Sequence, residues 1–151
     1  MAKKKKKHIP KSFESTGISS DISANIYESM AESPAWQDLT KGQQLLYVYC
    51  KLQYYGEKSY QLKEKEANPE VFTMNRYKWC NKYKIYTISN SGQFYKDMEA
   101  LISHGFIKCV LIGAKARVKN IYAYSDKWKI WGTKDFEITR DEMNYRMINK
   151  L

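Results

Sequence analysis

The sequence predicts an α+β fold, in which a three-helix bundle is closed by a small antiparallel sheet. Three observations favour it: apolar residues recur at helical spacing in two stretches, a short β-rich run separates those stretches, and two further β-rich runs flank a basic turn. A chain of 151 residues is long enough for one domain with a single core.

The two ends of the chain differ from its middle. Residues 1–17 hold a run of five lysines and no apolar pattern, and are predicted to form a flexible lysine-rich arm. The domain is expected to span residues 18–138, with residues 139–151 forming an extra C-terminal helix packed on it. The lysine run at 3–7 fits either a nucleic-acid-binding arm or a solvated tail.

The first helical signal is a short one. Ser33 is a suitable N-cap and Pro34 suits a first helical position. Residues 35–39 should therefore form a brief turn that buries Trp36.

The first long helix is predicted to begin at Thr40 and to stop at Gly56. Thr40 has capping-box spacing to Gln43, and Gly56 suits a helix end. Apolar residues recur along it at helical intervals: Leu45, Leu46, Tyr49 and Leu52. Residues 56–70 are a polar connection, and the apolar run 71–74 that follows predicts a strand.

Two more helices should follow this strand. Asn75 can cap a short helix that continues to about residue 82, and residues 85–90 form a turn. The next helix can be capped by Ser89, Asn90 or Ser91, and Gly105 closes it as the C′ residue. Its predicted core face consists of Phe94, Met98, Leu101 and Ile102.

The remaining residues predict a hairpin and a last helix. The runs 106–112 and 118–124 are β-rich, and Gly113 begins the turn between them. Thr139 and Glu142 have capping-box spacing, which predicts the C-terminal helix. Its apolar stripe fits packing on its own core or a dimer seam, and comprises Met143, Met147, Ile148 and Leu151.

This succession of helix, strand, helix, helix, strand, turn and strand is that of a winged helix-turn-helix domain. The hairpin would be the wing, and the third helix would be the recognition helix that enters the major groove of DNA.

Charge is concentrated in two places. The net charge is +10, residues 1–11 hold six lysines and no acid, and residues 71–125 hold nine basic and two acidic residues. A basic surface of this kind is expected of a protein that binds a polyanion.

Three sets of residues are candidates for contacting DNA. The polar face near the start of the third helix can bond bases or phosphates: Ser89, Asn90, Ser91, Gln93 and Lys96. The second helix and the turn after it offer cations to the phosphates: Arg76, Lys78, Lys82 and Lys84. The alternative for both sets is a polar face that meets only water. Asp97 and Glu99 lie further along, where a recognition helix leaves the groove.

The wing supplies the third set. Lys115, Arg117 and Lys119 alternate with small or apolar residues, so all three cations would point the same way along an extended strand. An arginine at a hairpin tip can enter the minor groove of A·T-rich DNA, where negative potential is concentrated. The alternative is a charged loop that only aids solubility.

Several classes of function lack a sequence signal. The three cysteines are widely spaced and only two histidines accompany them, so buried, reduced thiols are expected instead of a metal site. His104 is expected to meet the last carbonyls of its helix. No phosphate loop, carboxylate cluster or nucleophile pattern is visible, so neither an enzyme nor a cofactor is expected. Without an apolar leader or membrane span, the protein is expected to be cytoplasmic.

Three stretches, residues 32–40, 94–107 and 120–128, carry a family resemblance. Through them the chain resembles small winged-helix proteins of conjugative plasmids and integrative elements of Gram-positive bacteria. The resemblance implies DNA binding in plasmid replication, in transfer-origin processing or in control of the element's genes. The lysine arm and residues 56–70 lie outside the shared pattern.

The leading hypothesis is non-catalytic binding of double-stranded DNA by an accessory factor of replication or conjugative transfer. The alternatives are a transcriptional repressor and a winged-helix module that binds another protein. Replication or relaxosome proteins are further expected partners, and both a monomer and a homodimer remain open.

Overall fold

The computed structural model describes residues 11–18, 21–56, 71–111 and 120–138. Four α-helices are present in these ranges: α1 (Glu28–Ala31), α2 (Pro34–Asp38), α3 (Lys41–Gly56) and α4 (Ser91–Ser103). Three strands accompany them: β1 (Val71–Phe72), β2 (Ile107–Leu111) and β3 (Ile121–Tyr124). A π-helix covers Tyr77–Lys82, and two 3-10 helices cover Ile88–Asn90 and Lys127–Ile130. The chain therefore has the predicted α+β class, with α1 and the second 3-10 helix as unpredicted additions.

The helix starts around residue 40 follow their predicted capping chemistry. The Trp36 amide donates to Ser33 Oγ at 3.3 Å, and Pro34 takes the first position of α2. At α3, the Gln43 amide donates to Thr40 Oγ1 at 3.2 Å and the Thr40 amide donates back to Gln43 Oε1 at 3.0 Å. These bonds satisfy amides that a helix start leaves without partners.

The buried face of α3 differs from the predicted one. Leu46 is buried as expected, but Leu45 is 48% exposed and Tyr49 and Leu52 are only half-buried. The face that enters the core is offset by one position and consists of Leu46, Tyr47, Cys50 and Gln53. The sequence predicted the face that holds the leucines because leucine is more apolar than the tyrosine and glutamine that are buried instead.

Tyr47 and Gln53 fit the core because each finds specific partners. The Tyr47 ring lies 5.1 Å from the Phe106 ring and 5.8 Å from that of Trp36. The Gln53 amide donates to the Tyr49 carbonyl at 3.0 Å and to Tyr83 Oη at 2.8 Å. Trp36 itself is half-buried, whereas its neighbour Ala35 is fully buried, so the prediction that α2 buries Trp36 is only partly met.

The three strands form one antiparallel sheet in the order β1-β3-β2. Phe72 of β1 and Cys109 of β2 both pair with Tyr122 of the central strand, and an irregularity follows Cys109. Two of the strands were predicted to be longer: β1 stops at Phe72 although Thr73 and Met74 stay buried, and β3 begins only at Ile121.

Helix α4 matches its prediction most closely. All four residues of the predicted core face are buried: Phe94, Met98, Leu101 and Ile102. At its end the Gly105 amide donates to the Ile102 carbonyl and the Phe106 amide donates to the Leu101 carbonyl, both at 3.0 Å. Gly105 has φ +82°, so this is a Schellman ending with glycine at C′.

The three cysteines are free thiols, but the predicted burial is met fully by only one of them. Cys50 is fully buried, while Cys80 and Cys109 are half-buried. Burial raises the pKa of the Cys50 thiol.

Several predicted features lie outside the described residues: residues 1–10 of the arm, the connection 57–70, the wing residues 112–119 and the C-terminal helix 139–151. Within the described ranges, every helix is too short or too polar to cross a lipid bilayer.

Candidate nucleic-acid interface

The predicted contact residues of the third helix surround the first turn of α4. Ser89, Asn90, Gln93 and Lys96 are exposed there, and Ser91 is half-buried. Ser89 Oγ lies 3.0 Å from Thr87 Oγ1. The Asn90 side chain makes no capping hydrogen bond, so its predicted capping role is not realised.

Aromatic packing holds the π-helix beside the first half of α4. The Trp79 ring stacks on Phe94 at 5.0 Å, and the Tyr86 ring meets the same phenylalanine edge-on at 5.7 Å. The segment joined to α4 in this way carries three exposed cations: Arg76, Lys82 and Lys84. The predicted basic segment and the predicted recognition helix therefore belong to one packed unit.

The turn between these two helices is tight. The amides of Ile85 and Tyr86 both donate to the Trp79 carbonyl, at 2.9 and 3.2 Å. Lys84 lies in the left-handed region with φ +54°, a conformation that costs a non-glycine residue about 1–3 kcal/mol. The turn thereby holds an exposed lysine between the two helices.

Lys78 differs from its predicted outward placement. Its side chain is half-buried, and its ammonium donates to the Thr73 carbonyl at 2.9 Å and to Thr73 Oγ1 at 3.0 Å. The Lys78 amide also donates to Asn75 Oδ1 at 3.1 Å, the side-chain cap that the sequence predicted. Lys78 thus ties the end of β1 to the π-helix.

The carboxylate of Asp97 is buried, contrary to its expected position on the outer face. It is 4% exposed and accepts three hydrogen bonds: from Tyr86 Oη at 2.6 Å, from Gln93 Nε2 at 2.8 Å and from Gln43 Nε2 at 3.3 Å. Three donors offset part of the cost of burying a carboxylate. Burial and the bond to Asp97 raise the pKa of Tyr86.

The spacing of Asp97 in the sequence already places it among the buried residues of the helix. Asp97 follows Phe94 by three positions and precedes Leu101 by four, so it belongs to the apolar face of the helix. Its burial has an electrostatic consequence, because residues 71–96 contain no acid and Asp97 is the next one along the chain. The first acid after this acid-free stretch is thus buried.

His104 occupies the opposite end of α4. Its Nδ1 lies 2.7 Å from the Ala100 carbonyl, as predicted for a residue at a helix end, and its Nε2 lies 2.7 Å from Asp38 Oδ2. Its ring stacks on Trp131 at 5.0 Å. These contacts join α2, α4 and the segment after β3, which is a structural role.

The wing cations Lys115, Arg117 and Lys119 lie outside the described residues, so their placement stays a prediction. Among the residues that the structure describes, no group of three or more metal-ligating side chains is found. Comparison with protein-family models, with curated proteins and with solved structures finds no match.

Proposed function

We propose that this chain binds double-stranded DNA without catalysis, as a winged helix-turn-helix domain. The observation that carries the proposal is the surface formed by the first turn of α4 and the packed π-helix. Exposed cations and small polar groups cluster there, and the neighbouring carboxylate of Asp97 is buried.

The element order supports this class of fold. Helix α3 precedes β1, the π-helix and α4 follow it, and the hairpin strands come last, with β1 paired to the central β3. In this assignment α4 is the recognition helix, and the segment between β2 and β3 is the wing that carries Lys115, Arg117 and Lys119.

The chemistry of the surface suits a duplex. Arg76, Lys82, Lys84 and Lys96 would meet phosphates, which position a protein on DNA without reading its sequence. Gln93 and Asn90 have amides of the kind that recognise adenine in the major groove. Since Gln93 Nε2 already donates to Asp97, its side chain is oriented before DNA arrives.

The biological role is proposed from the family resemblance: an accessory factor in replication or transfer of a plasmid or conjugative element. Selection of bound fragments from the source element tests it. Enrichment at a replication or transfer origin supports this role, enrichment at a promoter identifies a repressor, and no enrichment favours a protein-binding module.

The duplex-binding claim is tested by two variants of equal net charge. Lys82→Gln with Lys96→Gln should lower the affinity for a random duplex and reduce the slope of log K against log salt by about 2. The matched control, Lys129→Gln with Lys134→Gln, alters exposed lysines away from the lysine-rich arm and the proposed duplex surface and should retain the slope. Equal losses in both variants would show that only overall charge matters.

The wing has its own test. Changing Lys115 and Arg117 together to glutamine should weaken duplex binding several-fold. Unchanged affinity would mean that the wing does not contact DNA.

A further inference from the structure

A groove of about 750 Å³ lies away from the surface proposed for duplex DNA. Its walls come from the segment before α1, from α3, from the sheet and from the second 3-10 helix. The 3-10 helix meets the C-terminal end of α4, since the Trp128 amide donates to the Gly105 carbonyl at 3.0 Å. Helix α4 has 13 residues, so about 20 Å separates this end from its first turn.

The groove is basic. Four lysines line it, Lys51, Lys108, Lys127 and Lys129, against one carboxylate, that of Asp126. Within the described part of the chain, no carboxylate forms an ion pair with Lys51, Lys108 or Lys129. Lys127 donates to the carbonyl of Glu137 at 3.1 Å. The groove therefore favours an anionic ligand.

Aromatic rings line the same groove. Tyr27 is 67% exposed and Tyr54 is 39% exposed, while Tyr124 and Trp128 are half-buried. Trp128 stacks on Phe106 with an interplanar angle of 4°, which fixes the orientation of its ring. Rings that are both held by the core and open to a groove can serve as stacking platforms.

Two lysines of the groove lie beside its aromatic rings. The Lys51 ammonium lies 5.8 Å from the centre of the Tyr124 ring, and the Lys129 ammonium lies 5.7 Å from that of Trp128. A nucleotide likewise joins a flat base to a phosphate. Bases in a duplex are already stacked on one another, so only an unpaired strand can offer them to the groove.

We propose that this groove binds single-stranded nucleic acid, with bases stacked on its aromatic rings and phosphates beside its lysines. The volume lies within the range of about 300–1,000 Å³ that is usual for small-molecule sites, so it holds only a few nucleotides. The proposal does not rest on duplex binding, because no residue is shared between the two surfaces.

Fluorescence anisotropy of the full chain tests the proposal with two labelled strands of about ten nucleotides, oligothymidylate and an abasic strand with the same number of phosphates. Oligothymidylate should bind at least about tenfold more tightly, since only it has bases to stack. The lysine arm contributes equally to both strands. Equal affinities would overturn the proposal, and so would tighter binding of an oligoglutamate peptide.

Variants then locate the site. Tyr27→Ala should weaken oligothymidylate binding at least about fivefold, and Lys51→Gln with Lys108→Gln should also reduce its salt dependence. The control pair, Lys82→Gln with Lys96→Gln, should leave oligothymidylate binding unchanged while weakening duplex binding. Loss of oligothymidylate binding in the control pair alone would move the single strand to the α4 surface and refute the proposal. Circular dichroism verifies that each variant is folded.

Discussion

The hydroxyl of Tyr86 donates a 2.6 Å hydrogen bond to the buried carboxylate of Asp97. This bond connects the turn before α4 to the middle of that helix. Gln43 of α3 and Gln93 of α4 donate to the same carboxylate, so three parts of the chain meet at one acid. Asp97 is therefore not exposed on the proposed DNA-facing surface, where a carboxylate would repel phosphates. It instead stabilises the proposed recognition helix from the core.

Removing the Tyr86 hydroxyl should destabilise the fold. Tyr86→Phe leaves Asp97 with two donors, and losing a hydrogen bond to a charged group costs about 1.5–3 kcal/mol. Urea unfolding measures the loss. Tyr77→Phe is the matched control, because Tyr77 is 63% exposed, and it should change stability by no more than about 0.5 kcal/mol. Equal effects of the two variants would contradict a stabilising role for the Tyr86–Asp97 bond.

Ionisation of the Cys50 thiol should lower the stability of the fold at alkaline pH. Burial raises the pKa of this thiol in the folded state, whereas the pKa of an unfolded thiol is about 8.5. The stabilisation is therefore complete below about pH 8.5 and is lost as pH rises, by up to about 1.4 kcal/mol per pH unit from this group. Urea unfolding from neutral to alkaline pH should show a shallower decline in Cys50→Ala. The same decline in both proteins would contradict the expectation.

Gly105→Ala should be strongly destabilising. Residue 105 has positive φ, and an added Cβ would lie 2.6 Å from backbone atoms of Lys127 and Trp128. The expected loss is about 2–4 kcal/mol. Gly92→Ala is the control, since nothing lies within 4 Å of a Cβ there, and alanine should stabilise α4 by up to about 1 kcal/mol. A neutral Gly105→Ala would show that the chain can relax around this contact.

Substitutions at Lys78 and Lys96 should affect different properties of the protein, the first its stability and the second its affinity for duplex DNA. Lys78→Met removes the bonds to Thr73 and should lower stability by about 1–3 kcal/mol, with little effect on the duplex affinity of the folded protein. Lys96→Met alters an exposed side chain and should lower duplex affinity while retaining stability. Thermal unfolding and anisotropy measure the two effects. The reverse pattern would place Lys78 at the DNA surface.

Local sequence patterns predicted the helices and strands better than they predicted which side chains contact one another. The stripe from Phe94 to Ile102 and the glycine at 105 are enough to define α4, because both signals lie within the helix itself. The place of Asp97 on the apolar face is a local signal, but its donors at residues 43 and 86 are brought together by no local pattern. The buried face of α3 was missed for a related reason, since one of the two groups that accept hydrogen bonds from Gln53 is the hydroxyl of Tyr83, which is distant in sequence.

An NMR titration of the isotope-labelled chain with a short duplex tests the proposed interface most directly. Backbone amides around the first turn of α4, at Ser91, Gly92, Gln93 and Lys96, should shift most strongly, together with those of Lys82 and Lys84. Shifts confined to the groove residues Lys51, Lys108 and Lys129, with α4 unaffected, would contradict duplex binding through the proposed recognition helix.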